Sequence, residues 1–144
     1  MRTSLYISFL LIALLGCSRS TVPVITTPTA AQITEFTTNA KITLPASAQP
    51  LGWRESRGMD DALWLQVRLP AADLQTFLDG SPFRGATLTT NDQYRIFDFR
   101  DFMPTPPIRY RCGEQQLPNA RYLKMIVDES DNTNAVVYLM WHET

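Results

Sequence analysis

Residue types on which catalytic and metal sites commonly depend are scarce in this chain of 144 residues. His142 is the single histidine, and no cysteine, aspartate or second histidine stands at metal-ligand spacing from it. A serine or cysteine nucleophile would have to use this one histidine, and no strand-to-helix nucleophile elbow is visible. Cysteine clusters and glycine-rich phosphate loops are also absent. We therefore predict a protein without catalytic residues, metal ligands or cofactor.

Charge and hydrophobicity exclude further classes of protein. The formal net charge is −1, so no overall field favours binding to nucleic acid or to an anionic lipid surface. Hydrophobic residues make up 44% of the chain and charged residues 19%, which is typical of a globular protein rather than a disordered one. No apolar run reaches the roughly twenty residues that a transmembrane helix needs. The composition predicts a globular protein with no nucleic-acid partner.

The amino-terminal segment has the order of features of an export signal. Arg2 gives a short positive start, and Leu5–Leu15 is an apolar run of about eleven residues, the length of a signal h-region. The segment Leu14-Leu15-Gly16-Cys17 resembles the lipobox of bacterial lipoproteins. That resemblance implies that diacylglycerol is attached to the Cys17 thiol and that cleavage falls just before it. The alternative is an ordinary secretory signal that a cysteine follows by chance.

The resemblance also implies a location in the cell. Residues 1–16 would be the signal peptide, and acylated Cys17 would hold the mature protein in the cell envelope through membrane lipid. In this family an aspartate after the cysteine often marks the inner membrane of Gram-negative cells. Ser18 stands there instead, which favours the outer membrane, facing the periplasm. A lipidated Cys17 also leaves Cys112 without a disulfide partner in the chain.

The segment after the cysteine is predicted to be a flexible tether. Residues 17–31 consist mainly of Ser, Thr, Pro and small apolar residues, with prolines at 23 and 28 and almost no charge. Proline favours extended backbone, and the segment has no hydrophobic periodicity that would make it pack. We therefore expect the lipidated cysteine and tether to end at residue 31 and a single α+β domain to occupy residues 32–144.

Two hairpins are predicted in that domain. Leu63–Leu69 shows the alternating pattern of a strand with one buried face, and Leu51–Glu55 precedes it across turn-forming residues. Tyr122–Asp128 and Ala135–Trp141 form the second pair, and both are apolar at consecutive positions. We expect the second pair to be central strands with cover on both faces. Tyr94–Phe99 is a candidate for a further short strand.

One main helix is predicted near residues 70–79. Pro70 suits a first helical position, Gly80 suits the end, and apolar residues between them recur at helical spacing. Strands on either side of one helix predict an α+β fold, a two-layer sandwich with a mostly antiparallel sheet.

Aromatic and charged residues of both signs alternate before a proline-rich loop and continue beyond it. Arginines and aromatics beside a stiff loop are typical of a recognition surface, here for an envelope protein or an anionic glycan. The predicted binding residues are Arg95, Arg100, Arg109, Tyr110 and Arg111. The alternative is that Phe97 and Phe99 belong to the core, Asp98 and Asp101 pair with the arginines, and the loop only connects.

Two further features have competing interpretations. Cys112 could be a buried structural thiol, a reactive thiol near Arg109 and Arg111, or half of an intermolecular disulfide, and we favour the structural thiol. Asp60-Asp61 could supply paired carboxylates for acid–base chemistry, but a charged pair after a glycine is typical of a solvated turn.

The leading functional prediction is a membrane-anchored, non-enzymatic binding or accessory module of the cell envelope. Its partners would be membrane lipid, through acylated Cys17, and an envelope protein or glycan. The first alternative is a periplasmic inhibitor or immunity lipoprotein that neutralises a toxin or a lytic enzyme. The second is a hydrolase that uses His142 with an aspartate or a glutamate.

Overall fold

A computed structural model of the chain describes residues 24–90, 98–103 and 105–144. Within these ranges the chain forms two α-helices and five strands. Their order is α1 (Ala30–Ala40), β1 (Gln49–Ser56), β2 (Ala62–Pro70), α2 (Leu74–Asp79), β3 (Tyr110–Leu117), β4 (Arg121–Asp128) and β5 (Asn134–Glu143). A short 3-10 helix, Ala71–Asp73, leads from β2 into α2.

The five strands form one antiparallel sheet in the order β1-β2-β5-β4-β3. The predicted α+β sandwich with an antiparallel sheet is therefore confirmed. Both predicted hairpins are present as β1–β2 and β4–β5. In register, Leu65 pairs with Leu139, and Leu139 pairs with Met125, so β4 and β5 are interior strands as expected.

Helix α1 corrects the prediction of one main helix. It begins at Ala30, inside the segment predicted to be tether, and its eleven residues outnumber the six of α2. Thr29 caps it, because the Thr29 side chain accepts a hydrogen bond from the Gln32 amide and the Gln32 side chain accepts one from the Thr29 amide. Phe36 and Ala40 are buried against the sheet. The boundary predicted at residue 32 thus falls within a packed helix, and the domain starts before it.

Helix α2 lies within the range predicted for it, but it is shorter. Pro70 is the last residue of β2 rather than the first of a helix, and the α-helical part begins at Leu74 and ends before Gly80. Leu74, Phe77 and Leu78 are buried. The helical spacing of apolar residues therefore identified the face that packs, while the proline belongs to the preceding strand.

A fifth strand is present where none was predicted. β3 is an edge strand, and only Cys112 and Leu117 are buried in it, so its sequence carries little apolar alternation. The candidate strand Tyr94–Phe99 ends in a turn at Asp98 and Phe99, and its residues 94–97 lie outside the described part of the chain.

The sheet has a hydrophobic cluster on each face. The first cluster packs α1 and α2 against inward residues such as Trp53, Leu65 and Val137. The second lies on the opposite face and contains Trp64 and Tyr138. We call this second side of the sheet the outer face. The alternation of β1 and β2 therefore sends the two tryptophans to opposite sides.

Both free edges of the sheet are partly covered. Ile25 forms an isolated antiparallel bridge with Trp53 on β1, and Thr89 forms one with Cys112 on β3. Such cover reduces the exposed hydrogen-bonding groups through which edge strands aggregate. No helix in residues 24–90, 98–103 and 105–144 has the length and apolarity to span a membrane.

Candidate functional site

Side chains on the outer face are arranged in rows that cross the strands. Strand register places one residue from each neighbouring strand side by side, because alternate residues point to the same face. The row nearest the β4–β5 turn contains Tyr110, Asp128, Val136 and Arg68, from β3, β4, β5 and β2 in that order. The next row contains Cys112, Ile126, Tyr138 and Gln66. The third contains Glu114, Lys124, Met140, Trp64 and Arg54.

A loop segment covers the second and third rows. Residues 98–103, which we call the strap, bury Phe99, Phe102 and Met103 against Trp64, Ile126 and Tyr138. The Phe99 and Tyr138 rings meet edge to face with centroids 6.4 Å apart. In the first row, Tyr110 and Val136 pack against this cluster and stay partly exposed.

Three residues of the first row line a cleft of about 380 Å³: Arg68, Asp128 and Val136. Its walls are Arg68, Asp128, Asp131, Asn134 and Val136. The Arg68 side chain is exposed, and no ion pair joins it to another of the described residues. A guanidinium with available donors thus faces a wall that carries carboxylates and an amide.

The carboxylate of Asp131 is committed to the β4–β5 turn. It accepts hydrogen bonds from the Thr133 amide and hydroxyl, both at 2.8 Å, and from the Asn134 side-chain amide at 3.2 Å. These bonds, led by the one from the Thr133 amide, lower the pKa of Asp131 to about 2. Asp131 is therefore charged at neutral pH and fixes the position of Asn134 in the cleft.

Asp128, in the cleft, and Tyr138, in the neighbouring row, interact electrostatically. One Asp128 oxygen accepts a hydrogen bond from the Ser130 amide at 2.9 Å. Burial raises the pKa of Tyr138, and the negative charge of Asp128 raises it further, against a hydrogen bond with Gln66 that lowers it. Tyr138 therefore keeps its proton at neutral pH, so its hydroxyl stays a donor.

The structure brings only some of the predicted binding residues together. Tyr110 lies in the first row, and Arg109, next to it, donates a hydrogen bond to the Asn132 side chain at 2.9 Å. Arg111 points to the other face, where it pairs with Glu129 through two hydrogen bonds. Arg100 is exposed in the strap, and Arg95 lies outside the described residues.

The residues that line the cleft were not among the binding residues predicted from the sequence. Arg68 is the one exposed residue of β2 before its terminal proline, and this polar position on a buried strand was the available signal. Asp128 and Asn134 flank the second hairpin turn, whose acidic and amide residues suggested only a connection. Their meeting with Arg68 requires the pairing of β2 with β5, which joins distant parts of the chain.

The other candidate residues make contacts within the fold. Cys112 is 1% exposed, and its thiol lies 3.3 Å from the Thr89 carbonyl oxygen, so it is buried as the structural-thiol interpretation requires. Asp61 pairs with Arg57 and accepts a bond from the Gly58 amide, as expected for a turn. His142 stacks on Tyr122 with ring centroids 5.4 Å apart. Among the described residues no group of three or more His, Cys, Asp or Glu side chains is placed to hold a metal ion.

Comparisons with protein-family models, with curated proteins and with solved structures found no match to this chain.

Proposed function

We propose that the protein is a membrane-anchored, non-enzymatic binding or accessory module of the bacterial cell envelope, and that the cleft beside Arg68 is its recognition surface. The observation that carries this proposal is the cleft that Arg68, Asp128 and Val136 line on the outer face. These three residues stand on the paired interior strands β2, β4 and β5, so their positions are fixed by the sheet rather than by a loop. Rigid placement is what a specific binding site requires.

The chemistry of the cleft favours a polar ligand that brings an acidic group to Arg68 and hydroxyl or amide donors to the side of Asp128 and Asp131, since these two carboxylates repel a ligand whose groups are all anionic. Arg68 offers guanidinium donors, which match carboxylate and phosphate oxygens in a two-point geometry. Asn134 and the second oxygen of Asp128 add groups that bond to hydroxyl or amide donors. A glycan that carries carboxylates, or an acidic segment of an envelope protein, presents both kinds of group.

The proposed anchor is the lipid on Cys17. Each buried methylene contributes about 0.8 kcal/mol, so two or three acyl chains hold a protein stably where one does not. A module held at the membrane meets envelope partners at high effective concentration, so a weak cleft is sufficient.

A site-specific photo-crosslinker tests the proposed surface in cells. Placed at Val136, inside the cleft, it is expected to give discrete adducts with an envelope protein or with peptidoglycan, and Arg68→Glu is expected to remove them. The matched control position is Gln75, which is exposed on α2 at the other side of the sheet. Adducts that form equally at Gln75, or that persist with Arg68→Glu, would reject the cleft as the recognition surface.

A second candidate function, the inhibitor of a toxin or lytic enzyme, is favoured by one exposed side chain. Ile108 is 96% exposed in a loop that follows prolines, and its amide donates to the Ser130 hydroxyl at 3.1 Å. An aliphatic side chain held out by a fixed loop suits insertion into a protein pocket. Inhibition of a toxin or hydrolase encoded next to this gene, lost with Ile108→Asp, would select this function over a glycan-binding one.

A further inference from the structure

Side chains rather than main-chain pairing hold the strap on the sheet. The described main-chain hydrogen bonds of residues 98–103 lie within the strap itself. The Phe102 and Met103 amides both donate to the Phe99 carbonyl oxygen. A polar contact to the sheet comes from the Trp64 indole, which donates to the Asp98 carbonyl oxygen at 3.1 Å. The strap can therefore leave without breaking any described strand pairing.

Two ion pairs attach the strap to two separate strands on the outer face of the sheet. Asp98 pairs with Lys124 of β4, with 2.8 Å between Nζ and Oδ2. Asp101 pairs with Arg54 of β1, which is an edge strand. Both pairs are partly buried, and the strands that carry the two cations are separated by β2 and β5. The strap is thus attached to the sheet at two separated strands, β1 and β4.

The cations also have contacts within the sheet. The Arg54 guanidinium carbon lies 4.7 Å from the centroid of the Trp64 ring, and Lys124 approaches Glu114 at 3.8 Å. These contacts keep both cations desolvated and in place whether or not the strap carboxylates are bound. The Arg54 Nε is buried and has no hydrogen-bond partner among the described residues, so the closed arrangement leaves one donor unsatisfied.

Beneath the strap, the outer face of the sheet is apolar. Cys112 and Ile126 are almost completely buried there, and Tyr138 is 8% exposed. Gly52 makes the fit close, because a β-carbon on it would lie 3.0 Å from the Phe102 ring. The helices and their cluster are on the other face and share none of these contacts.

We propose that residues 98–103 form a charge-latched strap, which opens as a unit when the Asp98–Lys124 and Asp101–Arg54 pairs are released and exposes Trp64, Ile126 and Tyr138 while the helical face stays folded. Local opening of this kind is expected where a segment has few main-chain bonds to its surroundings. This inference concerns the strap alone and does not depend on the proposed cleft or lipid anchor.

The alkylation rate of Cys112 reports opening, because its buried thiol belongs to the same hydrophobic cluster as the strap residues Phe99, Phe102 and Met103. We compare the parent chain with the double variant Asp98→Asn/Asp101→Asn, treat both with iodoacetamide, and read each cysteine separately by mass spectrometry. Loss of two partly buried ion pairs is expected to make alkylation of Cys112 about tenfold faster. The control, Asp60→Asn/Asp79→Asn, changes net charge equally on exposed residues away from the strap and is expected to match the parent.

A reporter on the helical face separates strap opening from general unfolding. Ala135→Cys places a thiol at a position that is 1% exposed in the first cluster. Its alkylation should not change when the two strap aspartates are replaced. Equal acceleration at both thiols would mean global loosening, and an unchanged rate at Cys112 would mean that the ion pairs do not hold the strap; either result overturns the proposal.

Discussion

The Arg111 guanidinium donates two hydrogen bonds to the Glu129 carboxylate, from Nε at 2.7 Å and from Nη2 at 3.1 Å. This pair joins β3 to the residue that follows β4, on the face that carries the helices. Because Arg111 is engaged there, it is not available to a ligand in the cleft on the outer face. A contact of this kind, partly exposed, has a modest energy that a double-mutant cycle can measure.

We expect a coupling energy of about 0.5–1 kcal/mol between Arg111 and Glu129 from the cycle Arg111→Ala, Glu129→Ala and the double variant. Chemical denaturation measures each free energy of unfolding. If the losses for Arg111 and Glu129 were additive, the two-point pair would contribute nothing to stability.

Leu65→Asp and Leu74→Asp should each lower the free energy of unfolding by about 3–5 kcal/mol, because both side chains are buried in one cluster and a buried charge lacks a partner there. Thermal midpoints and denaturant midpoints measure the loss. Thr76→Asp, which changes an exposed position of α2, is the matched control. Midpoints that equal those of the parent would contradict the packing of α2 on β2.

Ala120→Gly should stabilise the protein by about 0.5–1 kcal/mol, because Ala120 has a φ of 54° that glycine adopts without strain. The Ala120 carbonyl oxygen accepts a bond from the Thr144 amide at 3.2 Å, and the substitution keeps that bond. Ala71→Gly, at an exposed residue outside the positive-φ group, should instead destabilise. A loss of stability with Ala120→Gly would mean that this turn is not strained.

The contribution of the Asp131 charge to stability should be lost as the pH falls from about 3.8 to about 2. Hydrogen bonds in the β4–β5 turn lower the folded-state pKa of Asp131 from 3.8 to about 2, so above 3.8 the carboxylate stabilises the folded state fully. Asp131→Asn removes the charge and keeps an oxygen acceptor. Denaturant midpoints of the parent and this variant should differ at pH 7 and converge near pH 2. A gap that stays constant down to pH 2 would contradict the assigned shift.

Cys17→Ala should abolish labelling of the protein with palmitate and leave an uncleaved or mislocalised precursor, because the thiol is the acylation site that the lipobox implies. Metabolic labelling and membrane fractionation measure this. Cys112→Ser is the control, and its labelling should equal that of the parent. Palmitate labelling that survives Cys17→Ala would reject the lipid anchor but leave the cleft and strap untouched.

Local patterns in the sequence were sufficient for the two hairpins and for the buried face of α2. Alternation over Leu63–Leu69 reports a half-buried strand directly, since side chains of a strand point to opposite faces in turn. Helix α1 was missed because its sequence is rich in β-branched threonine and isoleucine, which favour strands. Its capping box, Thr29 with Gln32, was the signal that identifies its start.

The outer face could not be predicted in the same way. The row that contains Arg68 and Asp128 depends on the register of three strands, and no local pattern fixes which strands become neighbours. From the sequence we expected Asp98 and Asp101 to form ion pairs, but the expected partners were the arginines of the same region. Lys124 and Arg54 are their partners, at positions that only the tertiary fold brings close.

The strand that completes the sheet is the last of the five along the chain. β5 lies between β2 and β4, so the β1–β2 and β3–β4 pairs share no hydrogen bonds until β5 joins them. A chain that is synthesised from its amino-terminal end therefore cannot close its core during most of synthesis, because the pairing of β2 with β5 spans a long loop. This topology delays folding and makes the polypeptide dependent on protection from aggregation until Asn134–Glu143 is available.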